Sequence, residues 1–349
     1  LLSFVYKGRI HADVNQIRGD GGGTVTGRFS MTNPNLQQIP SKGEIGKKMR
    51  EVFLPEPGYE WGSFDYSQQE PRIVVHYALI HNCKGTEELK QKFNNDKADF
   101  HQIVADMAKI SRKQAKTINL GLFYGMGKNK LRAELGLEQA GAKKLFDDYH
   151  KKVPFVKEIS EKFMQFSEDL KLIYTLEDRF CRFDRYETVD KRWIDLKWQE
   201  WDPEAPVLNK KTKKVESHGK FVDVKLLTEE KARAEAAKKY NIKMEKKWEQ
   251  LDKKEQDNEF KEYYVPAFTY KALNRMVQGS AADMTKKAMV LLHRKGIIPH
   301  IQIHDELCLS VKGDIKDTVK RIMETAVPLE IKNKVDVECG LNWGTTSEE

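Results

Sequence analysis

Between His300 and Val311 the chain reads HIQIHDELCLSV, with Ile301, Ile303, Asp305, Leu307, Leu309 and Val311 on alternate positions. A period of two predicts a strand with one buried face. A carboxylate in that apolar series, flanked by His304 and Glu306, raises the question of why it stands there. Upstream, YEWGSFDYSQQEPRIVVHYALI (59–80) predicts a short strand ending near Asp65, followed by a helix. Residues 1–64 read otherwise as strands and loops, with a glycine-rich turn at GDGGGTVTGRFS (19–30). From about 85 to 170 the spacing is helical. The stretch 267–296 predicts a long helix whose patch Gly279-Ser280-Ala281-Ala282 permits close packing. The opening stretch follows it as a hairpin, and DVECGLNWG (336–344) reads as a last strand and its exit.

Residues 186–262 differ in character. A loop and hairpin (LKWQEWDPEAPVLNKKTKKVESHGKFVDVKLL) lead into a Lys/Glu/Ala-rich stretch that predicts solvated helix. This segment carries 19 Lys and Arg against 18 Asp and Glu, while the 349-residue chain has a formal net charge of +8. The basic excess therefore lies outside it and suggests an anionic partner, nucleic acid first. Cys83, Cys181, Cys308 and Cys339 are far apart and form no CxxC pair. That pattern excludes a zinc ribbon or disulfide framework and fits a reducing compartment such as the cytoplasm. No apolar run approaches the ~20 residues that span a bilayer, and no secretory leader is visible. The chain opens without Met, as a segment of something longer would.

Two strands end in a lone Asp, Asp65 and Asp305. Either alone reads as a turn residue. Brought together, the two carboxylates would suit hard divalent cations of the kind that clamp a phosphoryl transfer. In SRKQAKTINLGLFYGMG (111–127), helical positions four apart drift only ~40° around the axis. Arg112, Lys116 and Leu120 then share a face, with Tyr124 at its edge. Two cations, an apolar group and a phenol in a row suit a nucleoside triphosphate. An ordinary amphipathic helix with solvated Arg and Lys is the other reading of the same pattern.

Three motifs, in order, resemble motifs A, B and C of family A DNA polymerases: DYSQQEPR (65–72), RKQAKTINLGLFYG (112–125) and QIHDELCL (302–309). TGRFSMTNPNLQQIP (26–40) and LNRMVQGSAAD (273–283) are similar to two further family segments. The resemblance covers most of the chain except 186–262. It implies an α+β right-hand fold with an antiparallel palm sheet and helical fingers. Residues 1–8 would end the thumb, 9–67 and 272–349 would form the palm, and 68–271 the fingers, with 186–262 inserted.

The resemblance also implies a chemistry: transfer of a deoxynucleotide from dNTP to a primer 3′-OH with two Mg²⁺ ions. Asp65 and Asp305 would bind metal, with the Tyr66 carbonyl, and Glu306 would stand behind them. Lys116 and Arg112 would meet the triphosphate, Lys116 also as proton donor to pyrophosphate. His101 would touch a triphosphate oxygen, although without the family it reads as a surface helix histidine. Leu120 and Gln68 would complete the nucleotide site, Tyr124 would bound it by stacking at the template position, and Glu70 would close it beneath the sugar 2′ position. Arg28, Arg72, Asn274, Gln278, Gln302 and His304 would hold the primer–template. The run Gly19–Gly23 lacks the lysine and following helix of a P-loop.

The pattern departs from the family at Gln69 and Pro71, where aliphatic residues are usual, at Leu120 in place of Phe or Tyr, and at Tyr270 in place of Arg. Two other functions compete: a single-subunit RNA polymerase, and a non-catalytic DNA-binding fragment. The partners expected are primer–template DNA, dNTPs, and a thumb and exonuclease supplied by a preceding portion or a separate chain, with no membrane.

Overall fold

The computed structural model describes residues 2–17, 22–94, 99–123, 128–188, 192–194, 197–208, 215–223, 226–244 and 247–348. Contacts divide the chain into two compact units. The first comprises Leu1–Met164, Ile173–Cys181 and Tyr270–Glu349; the second comprises Gln165–Leu172 and Arg182–Thr269.

The first unit is built on a five-stranded antiparallel sheet in the order 301–303, 306–311, 60–66, 335–340, 347–348. Its central strand, Glu60–Tyr66, pairs on one side with Glu306–Val311 and on the other with Val335–Gly340. The stretch His300–Val311 forms the expected hairpin, although its unbroken alternation taken alone reads as one strand with a single buried face. Ile303 pairs with Glu306, and His304-Asp305 form a two-residue turn. His304 takes the left-handed conformation (φ 53°) that such a tight connection demands. The turn resets the phase. Ile301 and Ile303 lie on the same face as Glu306 and Cys308, and Leu307 and Leu309 lie on the opposite one. Both faces are apolar here because both are covered. On one, Trp61, Ile301, Ile303 and Cys308 pack with Met31, Leu36, Ile39, Phe53 and Trp343. On the other, buried Phe64 and Tyr66 pair in register with Leu307 and Val335. On that side the Tyr66 hydroxyl donates to the Met323 carbonyl at 2.7 Å.

The helix Ile315–Thr325 buries Val319, Ile322 and Met323, an i, i+3, i+4 stripe. The strand-then-helix reading of 59–80 holds, with the helix at Gln69–Ile80. Pro71 sits in its first turn, where a missing N–H costs little. The long helix runs over Ala272–His293 and follows a short 3₁₀ turn at Thr269–Lys271. Residues 1–64 also contain a helix, Gly43–Arg50, whose sole buried position, Gly46, leaves no apolar stripe to read.

The second unit corrects the expectation of solvated helix. Helix Glu229–Met244 buries Ala232, Ala236 and Tyr240 at i, i+4 and i+8. These pack with Tyr186, Leu227, Trp248, Phe260 and Tyr264 into a separate core. The stripe is narrow and mostly alanine, so the surrounding Lys and Glu hide it. A long antiparallel hairpin, Lys197–Leu208 with Val215–Asp223, belongs to the same unit.

Tyr186 pairs with Pro266, and the Ala267 N–H donates to the Arg185 carbonyl at 2.7 Å, so the chain enters and leaves this region side by side. Excising 187–265 and joining Tyr186 to Pro266 with Asn-Gly should leave a closed hairpin. The expected result is a polypeptide that still unfolds in a single cooperative thermal transition. Loss of that transition would show that the first unit needs the second to fold.

Candidate active site

The central strand carries its chemistry at one end of one face. Trp61, Ser63 and Asp65 project from that face in turn. Asp65 lies in register with Glu306 on one neighbour and with Asp336 on the other. One step back, Ser63 faces Cys308 and Glu338. The face thus passes from a tryptophan core at Trp61 to a row of carboxylates at Asp65. The Tyr66 N–H donates to the Asp305 carbonyl at 3.4 Å, which brings the two predicted aspartates side by side from segments 240 positions apart.

The other acids of the row have partners. Lys334 Nζ lies 2.9 Å from Asp336, the Thr346 hydroxyl donates to Glu338 at 2.8 Å, and the Cys308 thiol donates to Glu306 at 3.2 Å. Among the described residues, neither Asp65 nor Asp305 forms an ion pair. Asp65 presents an edge to solvent, yet partial burial and the charges of Asp305, Glu306, Asp336 and Glu338 push its carboxyl up to about 8. Asp305 is also raised, first by burial and then by Glu70, against the opposing influence of its own N–H, Arg28 and His304. Crowded oxygen donors, with Asp65 and Asp305 outside any ion pair among the described residues, suit a hard divalent cation. Among the described residues there is no cluster of three or more His, Cys, Asp or Glu with metal-ligand geometry. Any ion would therefore take its remaining ligands from backbone, water or substrate.

Glu70, in the first turn of helix Gln69–Ile80, pairs with Arg28 at 2.5 Å, both largely sheltered. Two residues expected on different partners, sugar and DNA, thus bind each other beside Asp305. Gln68 adopts φ 55° between strand and helix, and its side chain accepts from the Phe100 N–H at 2.7 Å. It thereby anchors the start of helix Phe100–Ala108, which carries His101.

His101 is buried, not on the surface. Its Nδ1 lies 3.2 Å from Asn119 Nδ2, and the Tyr149 hydroxyl donates to the other end of that amide. Asn119 therefore donates and Nδ1 accepts, which leaves the imidazole proton on Nε2. Burial first, then Lys116 and Arg112, hold this histidine below its ordinary value, with Asp99 opposing. Helix Arg112–Phe123 buries Ala115, Ile118, Asn119 and Phe123 and turns Arg112 and Lys116 outward, with Leu120 half-buried along the same face. Arg112 bonds Asp99 at 2.7 Å, and Asp99 also caps the His101 helix by accepting from Gln102 N–H. Tyr124 lies outside the described residues, as do Gly19, Asp20 and Gly21 of the glycine run.

Two predicted DNA contacts have other employment. Arg72 is 3 % exposed; it donates to the Ser67 carbonyl at 2.8 Å and the Lys332 carbonyl at 2.5 Å and lies over the Phe93 ring. It fastens the strand–helix junction from inside. Gln302 is buried, donates to the His304 carbonyl and accepts from Gln37 Nε2 at 3.2 Å, so it shapes the turn that presents His304 and Asp305. His304 itself is exposed, and Asn274 and Gln278 lie half-exposed one turn apart on the long helix. Gln69, a departure from the family pattern, donates to the Ala281 carbonyl at 3.3 Å and the Thr285 hydroxyl at 3.4 Å, tying its helix to the long one. Sequence reasoning missed Asp336 and Glu338, although their spacing of two in VDVECG places both acids on one face of a strand. It also missed Asp99, Asn119 and Tyr149, which act only through partners distant in sequence.

The sequence model of DNA polymerase family A matches residues 1–195 and 212–345. That match runs through 212–262, so the unlike stretch is narrower than 186–262. A DNA-directed DNA polymerase of Pseudomonas phage M6 is 35% identical over 361 aligned positions, covering 97% of this chain and 47% of the relative. DNA polymerase I of Caldicellulosiruptor bescii is 29% identical, covering 97% of this chain and 32% of the relative. The chain therefore spans about half or less of these relatives' length. Among solved structures, the polymerase domain of Pol1 from M. smegmatis, complexed with DNA primer-template and dNTP, superposes with a TM-score of 0.67 at 23% identity, over 99% of this chain and 50% of that one. With motifs, sheet topology and the paired aspartates agreeing with a family match over nearly its whole length, the chain belongs to DNA polymerase family A.

Proposed function

We propose that this chain carries the nucleotidyl-transfer centre of a template-directed DNA polymerase. The observation that carries the reading is the juxtaposition of Asp65 and Asp305, both raised by burial and by neighbouring carboxylates and without an ion pair among the described residues. Two Mg²⁺ ions bound there, with the Tyr66 carbonyl, would supply a lowered 3′-OH pKa and stabilisation of charge on the transferring phosphoryl group. Glu306 supports the pair from the neighbouring strand. Arg112 and Lys116 hold the triphosphate oxygens, and His101 adds its Nε2–H to the same group. Lys116 gives a proton to the departing pyrophosphate. Leu120 covers the sugar and base of the incoming nucleotide, and Tyr124 stacks at the template position.

Arg28 leaves Glu70 for the primer end as Glu70 closes beneath the sugar. Asn274, Gln278 and His304 complete the grip on primer–template, with donors suited to minor-groove acceptors common to every Watson–Crick pair. Arg72 and Gln302 serve this site as internal supports. A preceding portion of the protein or a separate chain provides the thumb and any exonuclease. No helix among the described residues is long and apolar enough to cross a membrane, and we place the protein in the cytoplasm with its DNA.

The testing experiment is single-nucleotide primer extension with dCTP and rCTP opposite template G. The chain should extend with dCTP and strongly reject rCTP, and Glu70→Ala should narrow that difference. Preference for rCTP would favour the RNA polymerase reading, and extension by neither would favour a DNA-binding fragment.

Leu120 has neither ring nor hydroxyl for the nucleotide. The aromatic contact it forgoes is worth roughly 1 kcal/mol, about fivefold in binding. Leu120→Tyr should raise kcat/KM for dTTP by about that factor and relax discrimination against ddTTP. An unchanged dTTP/ddTTP ratio would show that position 120 does not face the sugar.

A further inference from the structure

The turn Thr175–Arg179 lies far in sequence from every motif of the site, yet its arginine touches two of the segments that build it. Arg179 Nε donates to Asp283 at 2.8 Å, and Asp283, itself buried on the long helix, also accepts from the Thr175 hydroxyl. Arg179 Nη2 donates to two carbonyls at once, Thr26 at 2.8 Å and Gly279 at 2.9 Å. Thr26 lies two residues before Arg28, and Gly279 directly follows Gln278.

The surroundings are shaped for this guanidinium. A Cβ on Gly27 would lie 2.8 Å from its central carbon, and Gly27 has φ +81°, which L side chains rarely adopt. A Cβ on Gly279 would lie 2.7 Å from the Thr175 methyl and 3.1 Å from Arg179 Nη2. The two glycines therefore flank one planar, three-bond clamp. Local bonds set the loop beyond it: the Thr24 hydroxyl donates to the Arg28 carbonyl at 2.9 Å.

We propose that Arg179 is a positioning residue that fixes the spacing between Arg28 and Gln278, and so sets how the enzyme senses the terminal base pair of the primer. The proposal rests on the polymerase reading. A matched terminal pair presents its minor-groove acceptors at one fixed separation. Two donors held at that separation engage both strands of a matched pair; a mismatched pair, with displaced acceptors, engages one at most. Loosening the clamp costs the matched terminus its paired contact and costs a mismatched terminus little. A purely structural role would depress both alike.

The test is single-turnover incorporation by the 349-residue chain at low ionic strength, on primers ending in a matched or a mismatched pair. Arg179→Ala should lower kcat/KM on the matched end by about tenfold to a hundredfold, the range that small misplacements cost. The mismatched end should change little, so the matched/mismatched ratio collapses. Arg179→Lys keeps a charge for Asp283 but cannot bridge both carbonyls, and should recover only part of the ratio. Gly27→Ala, which displaces the guanidinium while leaving it chemically intact, should reproduce the loss and add nothing to Arg179→Ala. If the alanine variant at 179 fails to fold, the same ratio is read from the lysine and Gly27 variants. An unchanged ratio in folded variants overturns the proposal. Absence of extension by the unmodified chain overturns the polymerase reading and this proposal with it.

Discussion

Asp65→Asn and Asp305→Asn should each reduce nucleotide incorporation by roughly 10³-fold, equivalent to about 4 kcal/mol of transition-state stabilisation, while duplex binding stays nearly unchanged. The effect is electrostatic. Each carboxylate, once a cation displaces its proton, contributes a negative charge to a place already crowded with acids, and Asn keeps the shape but cannot supply the charge that would hold a cation. Duplex affinity depends on cationic and polar groups elsewhere, so removing a negative charge should, if anything, strengthen it slightly. The two substitutions act on one unit, so the double variant should be little worse than either single one. Near-normal incorporation by either variant would remove that aspartate from the site. Parallel loss of DNA binding would mean that the substitution had damaged the fold.

Thermal stability should show the same cluster by a route that needs no substrate. Asp65, pushed up to about 8, and Asp305, pushed in the same direction, hold protons in the folded state that the unfolded chain releases near 3.8. Such groups contribute stability that is fully present below about pH 4 and is lost as pH rises through the folded-state values. His76, His101 and His300, all lowered by burial first, act in the opposite sense and lose their contribution as pH falls through 6.5. The difference between Tm with and without Mg²⁺ cancels the histidines. Cation binding to the folded state alone adds about 2.7 kcal/mol at a hundred times Kd. That gain requires deprotonated carboxylates, so the Mg²⁺-induced rise in Tm should be small at pH 5 and should grow steadily to pH 8. Asp65→Asn should flatten this dependence. A rise independent of pH, or none at pH 8, would contradict the arrangement.

How far the sequence reached depended on where each signal lies. The strand ending at Asp65 and the helix after it were legible because a short aromatic-rich segment gives way, across a polar turn and Pro71, to an apolar run. The exposed face of Arg112 and Lys116 was legible because helical spacing is local. The phase of the 300–311 hairpin was not, because a two-residue turn leaves an unbroken alternation in the sequence while switching faces in space. Helix Glu229–Met244 buries two alanines and a tyrosine, too thin a stripe to stand out among Lys and Glu. Arg72 and Gln302 look like surface polar residues in motifs that face DNA. Their burial follows from backbone carbonyls of Ser67, Lys332 and His304, which no side-chain pattern encodes. The Arg28–Glu70 pair joins residues 42 positions apart, and only the folded chain brings them together.

Whether these residues direct synthesis by a template is tested most directly by one measurement. Four primer–templates differing only in the next template base, each offered the four dNTPs singly with Mg²⁺, yield a full matrix of incorporation rates. The complementary nucleotide should be added fastest on each template, with one pyrophosphate released per primer extended. Rates that do not follow the template base, or no extension on any template, would contradict template-directed synthesis by this chain.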